Sequence, residues 1–366
     1  MKFIINRDQL LPPMQHIVSV IEKRQTMPIL SNVLINASEN ELVLTGTDLE
    51  IQIIAKIKLN VEQPGSVTVP ARKFLDICRL MPSGAEIKFE GKEDKVKVTS
   101  GRGRFLLTTL PAENYPEFTE SDFDNSFTIN AGKLKNALDK TIFCMANQDV
   151  RYYLNGMLLQ VSNTRLKLVA SDGHRLSVYE DDIGEATGYE ARIIVPRKGV
   201  QELSRLLDDL DAEANIQFSN NNIRLFYKEL VFSAKLVDAK YPDFSRVFEQ
   251  AFHNPMLIQK QVLRDALTRV AVLSNEKFKG VTLDISENLM KISTHNPEHD
   301  EAEEELLMQY QGESLSISFN SQYLLDAVSN LDSEMAVLTI ASNASSCFIE
   351  EPDQSLSKFI VMPMRL

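Results

Sequence analysis

The sequence has little cysteine: three residues in 366, Cys78, Cys144 and Cys347, which lie far apart and form no Cys-x-x-Cys pair. This usage predicts reduced thiols in a cytosolic protein. Charge returns at Arg7 and Asp8, which is too early for a signal peptide. Apolar runs stay well below the ~20 residues of a membrane-spanning helix. We therefore expect a cytoplasmic protein without a membrane partner.

Sequence signatures of catalysis and of cofactor binding are also missing. The Gly-Lys pair at 91–92 lacks the Ser or Thr that completes a P-loop, and no H-E-x-x-H or G-x-S-x-G occurs. His295 and His299 lie four residues apart, but a proline separates them within an acidic run, which favours a surface loop over a metal site. Outside the stretch 169–176, the sequence thus predicts no catalytic residue, and it predicts no cofactor and no metal.

One stretch nevertheless resembles an active site. V-A-S-D-G-H-R-L (169–176) places an acid, a histidine, an arginine and a hydroxyl within five residues. Two interpretations remain open at this point. Asp172, His174 and Arg175 could form a hydrolase-like site, or the stretch could be a tight turn that carries polar residues.

An internal repeat bears on that choice. Amphipathic helix patterns occupy 3–21, 127–145 and 256–274, where Leu10, Leu134 and Leu263 correspond. A second helix pattern follows at 69–81, 195–207 and 319–331. Alternating runs around polar turns predict hairpins at 32–46, 156–170 and 280–294. The sequence therefore predicts three α+β domains, 1–124, 125–253 and 254–366, each with two helices packed on antiparallel sheet. Asn6 and Asn130 stand where N-caps belong.

The repeat favours the turn interpretation of Asp172. Ser171-Asp172 falls where Thr47-Asp48 stands in copy one and Thr294-His295 in copy three. Such pairs hydrogen-bond to turn backbone, so Asp172 is expected to be structural. His174 and Arg175 then represent a specialisation of the second copy.

The net charge of -12 argues against nucleic acid, because phosphates repel an acidic surface. Residues 254–366, however, hold 17 acidic against 8 basic side chains, including the acidic run 295–305. That run is either a solvated, flexible loop or a docking surface for a basic patch. The segment 101–107, G-R-G-R-F-L-L, is a candidate for the basic patch.

Basic residues recur where the second helix begins: Arg72 with Lys73 in copy one, and Arg197 with Lys198 in copy two. Cations there oppose the helix dipole, typically by ~0.3–1 kcal/mol each. Because the unfavourable arrangement occurs twice, it favours a role in phosphate contact over a misfit that the fold merely tolerates. Copy three has Ser321 and Gln322 instead and should contribute less.

Several motifs together are specific, and they are T-G-T-D-L-E (45–50), V-P-A-R-K-F-L-D-I-C-R (69–79), Q-D-V-R-Y-Y-L-N-G (148–156), A-S-D-G-H-R-L (170–176), V-P-R-K-G-V (195–200), S-N-E-K-F-K-G-V (274–281) and V-M-P-M-R-L (361–366). With them the chain resembles the bacterial DNA polymerase III beta subunit family, the sliding clamps, over essentially its whole length. Small departures are Ser171 where threonine is commoner, Ala344 where valine is commoner, and Gln25 where proline is commoner.

The resemblance implies a head-to-tail homodimer of three-domain chains that closes a six-domain ring around double-stranded DNA. Helices would line the hole, and contacts would be to the DNA backbone without sequence readout. The ring would have no reaction of its own. Its partners would be the DNA polymerase III alpha subunit, the clamp-loader delta subunit, other polymerases and repair proteins, which bind through short peptide motifs.

The resemblance also implies three sets of site residues. DNA would be contacted by Arg24, Arg72, Lys73, Gln148, Tyr152, Tyr153, Arg197 and Lys198, although two adjacent tyrosines on a strand cannot both point inward. The peptide pocket would be built from Leu154, Ser171, Gly173, His174, Arg175, Leu176, Pro242, Arg246, Val247, Phe278, Asn320, Tyr323, Val361, Met362, Pro363, Met364 and Arg365. The dimer interface would pair Arg102, Arg104, Phe105 and Leu107 with Val272, Leu273, Glu298, Glu301, Glu303 and Glu304.

Overall fold

The computed structural model describes residues 1–22, 27–92, 94–119, 122–249, 251–342, 345–353 and 356–365. Arg24, Gln25 and Ala344 lie outside these residues. The chain divides into two compact units, Met1–Lys135 with Lys198–Asp238, and Asn136–Arg197 with Ala239–Leu366.

Each repeat contributes two α-helices in the described chain, as the sequence predicts. They are α1 (Arg7–Val20), α2 (Ala71–Leu80), α3 (Ala131–Ile142), α4 (Arg197–Leu206), α5 (Lys260–Ala271) and α6 (Ser321–Ser329). Asn6 caps α1 by accepting a hydrogen bond from the Asp8 N–H at 2.8 Å, and Asn130 accepts one from the Lys133 N–H at 3.0 Å. The two predicted N-caps are therefore confirmed.

Strands form most of the remaining framework. Copy one contains β1 (Lys2–Asn6), β2 (Asn32–Ala37), β3 (Glu41–Thr47), β4 (Ile51–Lys58), β5 (Val61–Gln63), β6 (Gly65–Pro70), β7 (Glu86–Lys92), β8 (Lys95–Ser100) and β9 (Gly103–Thr108). Copy two contains β10 (Asn125–Asn130), β11 (Gly156–Ser162), β12 (Arg165–Ser171), β13 (Arg175–Asp182), β14 (Glu190–Pro196), β15 (Glu213–Phe218), β16 (Asn222–Tyr227) and β17 (Leu230–Lys235). Copy three contains β18 (Met256–Gln259), β19 (Gly280–Ser286), β20 (Leu289–His295), β21 (Glu301–Leu307), β22 (Leu315–Asn320), β23 (Met335–Ile340), β24 (Cys347–Glu350) and β25 (Ser357–Val361).

Two eight-stranded sheets each join strands of successive repeats. Their orders are β10-β15-β16-β17-β4-β3-β2-β6 and β14-β11-β12-β13-β25-β24-β23-β18. At the first junction Phe232 of β17 lies opposite Ile53 of β4, and at the second Ile360 of β25 lies opposite Leu176 of β13. Two smaller sheets, β5-β1-β7-β8-β9 and β21-β20-β19-β22, end at β9 and β21. The last strand of one repeat thus completes a sheet of the repeat before it.

The predicted hairpins β2–β3, β11–β12 and β19–β20 are confirmed. Their registers correct the predicted counterpart of Thr47 in copy three by one residue, because Thr282 pairs with Ser293 where Leu34 pairs with Thr45. His295, not Thr294, therefore corresponds to Thr47. The turn that follows is one residue longer in copy three, since His295 pairs with Glu301 where Thr47 pairs with Gln52.

The acidic run is only partly a loop. Glu301–Leu307 forms the edge strand β21, so the interpretation as a flexible loop was wrong for these residues. Alternate side chains of β21 face the helix side of the sheet, where Glu304 forms an ion pair with Arg269 of α5. The three cysteines are buried and unpaired, as predicted. Among the described residues, no helix is long and apolar enough to cross a membrane.

Candidate binding cavity

The stretch that resembles an active site is a hydrogen-bonded turn between β12 and β13. The Asp172 carboxylate accepts hydrogen bonds from the backbone N–H groups of His174 (2.9 Å) and Arg175 (3.0 Å). The Ser171 hydroxyl donates to the Arg175 carbonyl at 2.8 Å. Asp48 makes the same pair of bonds in copy one, at 2.9 and 2.7 Å. The structural assignment of Asp172 is therefore confirmed.

Arg175 connects β13 to α6 through its side chain. Its guanidinium binds Asp172 at 3.0 Å and Asp326 at 2.5 Å, and it lies 4.4 Å from the ring centroid of Tyr323. Burial disfavours its charge, but the surrounding anionic groups, Asp326 and Asp172 among them, raise the pKa of Arg175. Only 14% of the side chain is exposed, so its charge is largely satisfied inside the protein.

Beside this turn lies a cavity of about 220 Å³. Eight of its lining residues belong to the pocket that the resemblance implies: Leu154, Ser171, Gly173, Arg175, Leu176, Pro242, Val247 and Met362. Six others complete the wall: Arg151, Tyr153, Tyr241, Asp243, Phe244 and Ile360. Apolar walls with a few fixed polar groups are typical of ligand sites. The volume lies below the ~300 Å³ of small drug-sized sites, which suits side chains of a peptide.

The other residues of the implied pocket do not line this cavity; they are His174, Arg246, Phe278, Asn320, Tyr323, Val361, Pro363, Met364 and Arg365. Asn320 caps α6 by accepting from the N–H groups of the first turn, and its amide donates to the Phe278 carbonyl at 3.2 Å. Val361 is 1% exposed and pairs with Arg175 in the sheet. That pairing confirms that the 174–176 stretch adjoins the C-terminal strand.

Gly173 lies at a close approach in the cavity wall. Its φ is +87°, and a Cβ there would lie 2.6 Å from Nη1 of Arg151. Arg151 is held in place by Asp149 at 2.8 Å and by the Asp172 carbonyl at 3.0 Å. The hydrogen bonds from Arg151 lower the pKa of Asp149 to about 2. Copy one has Leu49 at the corresponding position, with a φ of 76°.

One wall element repeats a motif that the sequence reading missed. Y-P-D-F at 241–244 corresponds to Y-P-E-F at 115–118. The Tyr115 hydroxyl donates to the Thr45 carbonyl at 3.2 Å, and the buried Tyr241 hydroxyl lies near the backbone of Ser171. The repetition of Y-P-x-F was the available signal.

The basic residues at the helix starts have internal partners that the sequence did not reveal. Arg72 donates to the Ile21 carbonyl at 2.6 Å, just beyond α1. Arg197 donates to the Met145 carbonyl at 2.8 Å, just beyond α3. The Ile21 carbonyl at the C-terminal end of α1 carries partial negative charge. Both arginines thus have internal acceptors, although burial and the nearby Arg175 lower the pKa of Arg197. Phosphate contact is therefore not needed to explain these two arginines.

Lys198 is held more tightly, while Lys73 is exposed. Burial opposes the charge of Lys198, but hydrogen bonds to Asp48 and Glu22 outweigh it and raise its pKa. Tyr152 and Tyr153 lie in the 3-10 helix Tyr152–Asn155, so their placement on a strand was wrong. Tyr152 is 58% exposed, whereas its neighbour lines the cavity.

Comparison with known proteins matches the chain from end to end. Family models for the DNA polymerase III beta subunit match in order: the N-terminal domain over 1–119, the central domain over 128–243 and the C-terminal domain over 245–365. The chain is 44% identical to the beta sliding clamp of Pseudomonas aeruginosa and 43% identical to that of Escherichia coli K12, each over 100% of both chains. A crystal structure of the Pseudomonas aeruginosa sliding clamp bound to griselimycin superposes with a TM-score of 0.96 at 43% identity, again over 100% of both chains.

Proposed function

Because the chain belongs to the DNA polymerase III beta subunit family, we propose that it is a DNA sliding clamp of the bacterial cytoplasm. It would encircle duplex DNA and tether the replicative polymerase without catalysing a reaction itself. The match of all three family domains, in order and over the whole chain, carries this proposal. We infer domain limits of 1–124, 125–253 and 254–366, which follow the internal repeat.

We propose that the ring closes by the same strand pairing that joins the repeats. Within the chain, β17 completes a sheet at β4, and β25 completes one at β13. By repeat position, β9 corresponds to β17 and β25, while β21 corresponds to β4 and β13. Both β9 and β21 are sheet edges in the described chain. Two head-to-tail contacts between β9 and β21 would therefore give a closed, heterologous ring.

The exposed fractions of three phenylalanines that hold the same position in the three repeats support this pairing. Phe232 is 0% exposed and Phe359 is 1% exposed, because the neighbouring repeat covers them. Phe105 holds the same position in β9 but is 39% exposed. A second subunit that covers Phe105 would restore the environment of its counterparts. Val272, 75% exposed at the end of α5, would be covered at the same contact.

The repeat also fixes a register for the proposed contact. Phe105 would lie opposite Ala302, which puts Arg104 of the partner subunit opposite Glu303 and Arg102 of the partner subunit opposite Glu305. Opposite charges that face each other across strands stabilise a pair by ~0.2–1 kcal/mol each. The remaining residues of the implied interface, Leu107, Leu273, Glu298, Glu301 and Glu304, would surround these pairs.

A charge swap tests the register. Arg104→Glu should weaken the dimer, and adding Glu303→Arg should restore it, because the pair is re-formed with reversed signs. Sedimentation at nanomolar concentration measures both variants. Exchange at the exposed Lys92, which lies in β7 and is separated from β9 by β8, serves as the control. A dimer unaffected by Arg104→Glu, or unrepaired by the second change, would refute the proposed register.

We propose that DNA is contacted chiefly by the exposed residues of the implied set, Arg72, Lys73, Gln148 and Tyr152. Arg197, Lys198 and Tyr153 are half-buried and would contribute less, and Arg24 lies outside the described residues. Contacts to phosphate without base readout would let the ring slide. Clamp-dependent primer extension by the cognate polymerase tests this. Lys73→Ala should lower synthesis and reduce its salt dependence, whereas Lys92→Ala should leave both unchanged.

We propose that the 220 Å³ cavity holds short apolar peptide motifs of the alpha subunit, the delta subunit and other partners. Its apolar walls and the flexible Met362 at its edge suit varied side chains. The second group of pocket residues, His174, Arg246, Phe278, Asn320, Tyr323, Pro363, Met364 and Arg365, would contact the peptide outside the cavity. Leu154→Glu, which places a charge in the wall, should abolish binding of an alpha-subunit peptide without changing the dimer.

A further inference from the structure

A second, larger groove of about 650 Å³ lies on the same sheet as the cavity. Odd-numbered residues of β13 face α3: the Ser177 hydroxyl donates to the Lys140 carbonyl at 2.6 Å, and Tyr179 contacts Asn136 at 3.3 Å. Even-numbered residues therefore face the opposite side, because successive side chains of a strand alternate. Leu176 lines the cavity, and Glu180 lines the groove.

The cavity and the groove are neighbours along the sheet. Phe244 lines both of them, and the 3-10 helix Ser245–Glu249 contributes Val247 to the cavity and Phe248 to the groove. From Leu176 to Glu180 is four residues, or about 13 Å at the rise of a strand. An extended peptide held in the cavity therefore reaches the groove with about four more residues.

The groove floor is basic in a chain whose net charge is -12. Arg165, Lys167 and Lys358 line it. Glu180 is shared by Lys167 at 2.8 Å and Arg165 at 3.8 Å. Lys358 makes no ion pair within the described part of the chain, and its ammonium lies 5.8 Å from the ring centroid of Phe248.

We propose that this groove binds the segment that flanks the cavity-bound motif of a partner peptide, and that it favours an acidic side chain about four residues from that motif. The proposal rests on the proposed peptide-binding role of the cavity. Lys358 supplies the uncompensated cation, while Val178 and Phe248 supply apolar surface for the stem of the side chain. Glu249 also lines the groove and would repel an acid close to it, so the acid is expected beside Lys358.

Fluorescence anisotropy with the full chain at low salt tests the proposal. The probes are a labelled peptide from the clamp-binding segment of the alpha subunit, the same peptide extended by five residues with glutamates at its N-terminal or its C-terminal end, and versions with lysines instead. One glutamate extension should tighten binding about two- to fivefold, which corresponds to an exposed ion pair of ~0.4–1 kcal/mol. The matching lysine extension should not.

Lys358→Glu should remove that gain and favour the lysine extension, while Lys92→Glu, which changes the net charge equally, should preserve the original preference. Two results would overturn the proposal: equal affinity for all extensions, or a glutamate gain that survives Lys358→Glu. If the unextended peptide itself fails to bind, the peptide-binding role of the cavity fails instead. The two failures are therefore distinguishable.

Discussion

Replacing Gly173 by alanine should lower both the stability of the fold and the affinity of the cavity for a peptide. A φ of +87° is left-handed, which costs a residue with a Cβ roughly 1–2 kcal/mol. The new Cβ would also lie 2.6 Å from Nη1 of Arg151. Relieving such a contact costs about 1 kcal/mol when a flexible side chain can move, the low end for overpacking. We expect a loss of about 2–3 kcal/mol in the free energy of unfolding.

Gly84→Ala is a matched control. Gly84 has a φ of +75°, but a Cβ there would meet nothing within 4 Å. It should therefore lose only the roughly 1–2 kcal/mol of left-handed strain and bind peptide normally. Urea unfolding measures both variants, and anisotropy with an alpha-subunit peptide measures binding.

The excess loss at Gly173 should vanish when Arg151→Ala is added, because the collision then has no partner. Equal destabilisation of Gly173→Ala and Gly84→Ala would refute the close-approach argument. A several-fold loss of peptide affinity in Gly173→Ala that is equally large in the Gly173→Ala/Arg151→Ala double variant would also refute it.

Three further outcomes follow from individual contacts. Tyr115→Phe should cost about 1 kcal/mol of unfolding free energy, because its hydroxyl bond to the Thr45 carbonyl is lost; no change in urea unfolding would contradict this. Asp332→Ala should lower the free energy of unfolding by about 1 kcal/mol, because the buried Lys140 ammonium loses its carboxylate partner. The effect stays small because 73% of the Asp332 side chain is exposed. An unchanged urea midpoint would contradict this. Two lysine ammonium groups hold the pKa of the Glu90 carboxyl at about 2, so its contribution to stability is present above pH ~4.5 and is lost as the pH falls toward 2; an NMR titration midpoint near 4.5 would refute it.

The repeat made the helices and hairpins predictable, because each copy presented the same periodicity. The counterpart of Thr47 in copy three was predicted wrongly as Thr294, although the predicted hairpins 32–46 and 280–294 already place His295 there. Thr294 and His295 resemble the polar pair of the other copies in residue type, which accounts for that error. The longer turn after His295 could not be predicted and is shown by the pairing of His295 with Glu301. Strand β21 was also missed in part, because alternate glutamates give an edge strand no hydrophobic alternation.

At the site, the turn function of Asp172 was predictable from its counterpart Asp48. The anchoring of Arg175 was not, because Asp326 lies 151 residues away in sequence. The same holds for Arg72 and Arg197, whose carbonyl partners depend on how helices pack. When the dipole of one helix is considered alone, the partial negative charge at the C-terminal end of a neighbouring helix is left out.

The central claim, that the protein encircles DNA, is tested most directly by topology. The protein is loaded onto nicked circular duplex by its clamp loader, isolated by gel filtration, and the DNA is then cut once. The account predicts that the protein elutes with the circle and is released after linearisation, because a closed ring is retained only by DNA without ends. Equal retention on circular and linear DNA, or equally rapid loss from both, would contradict it.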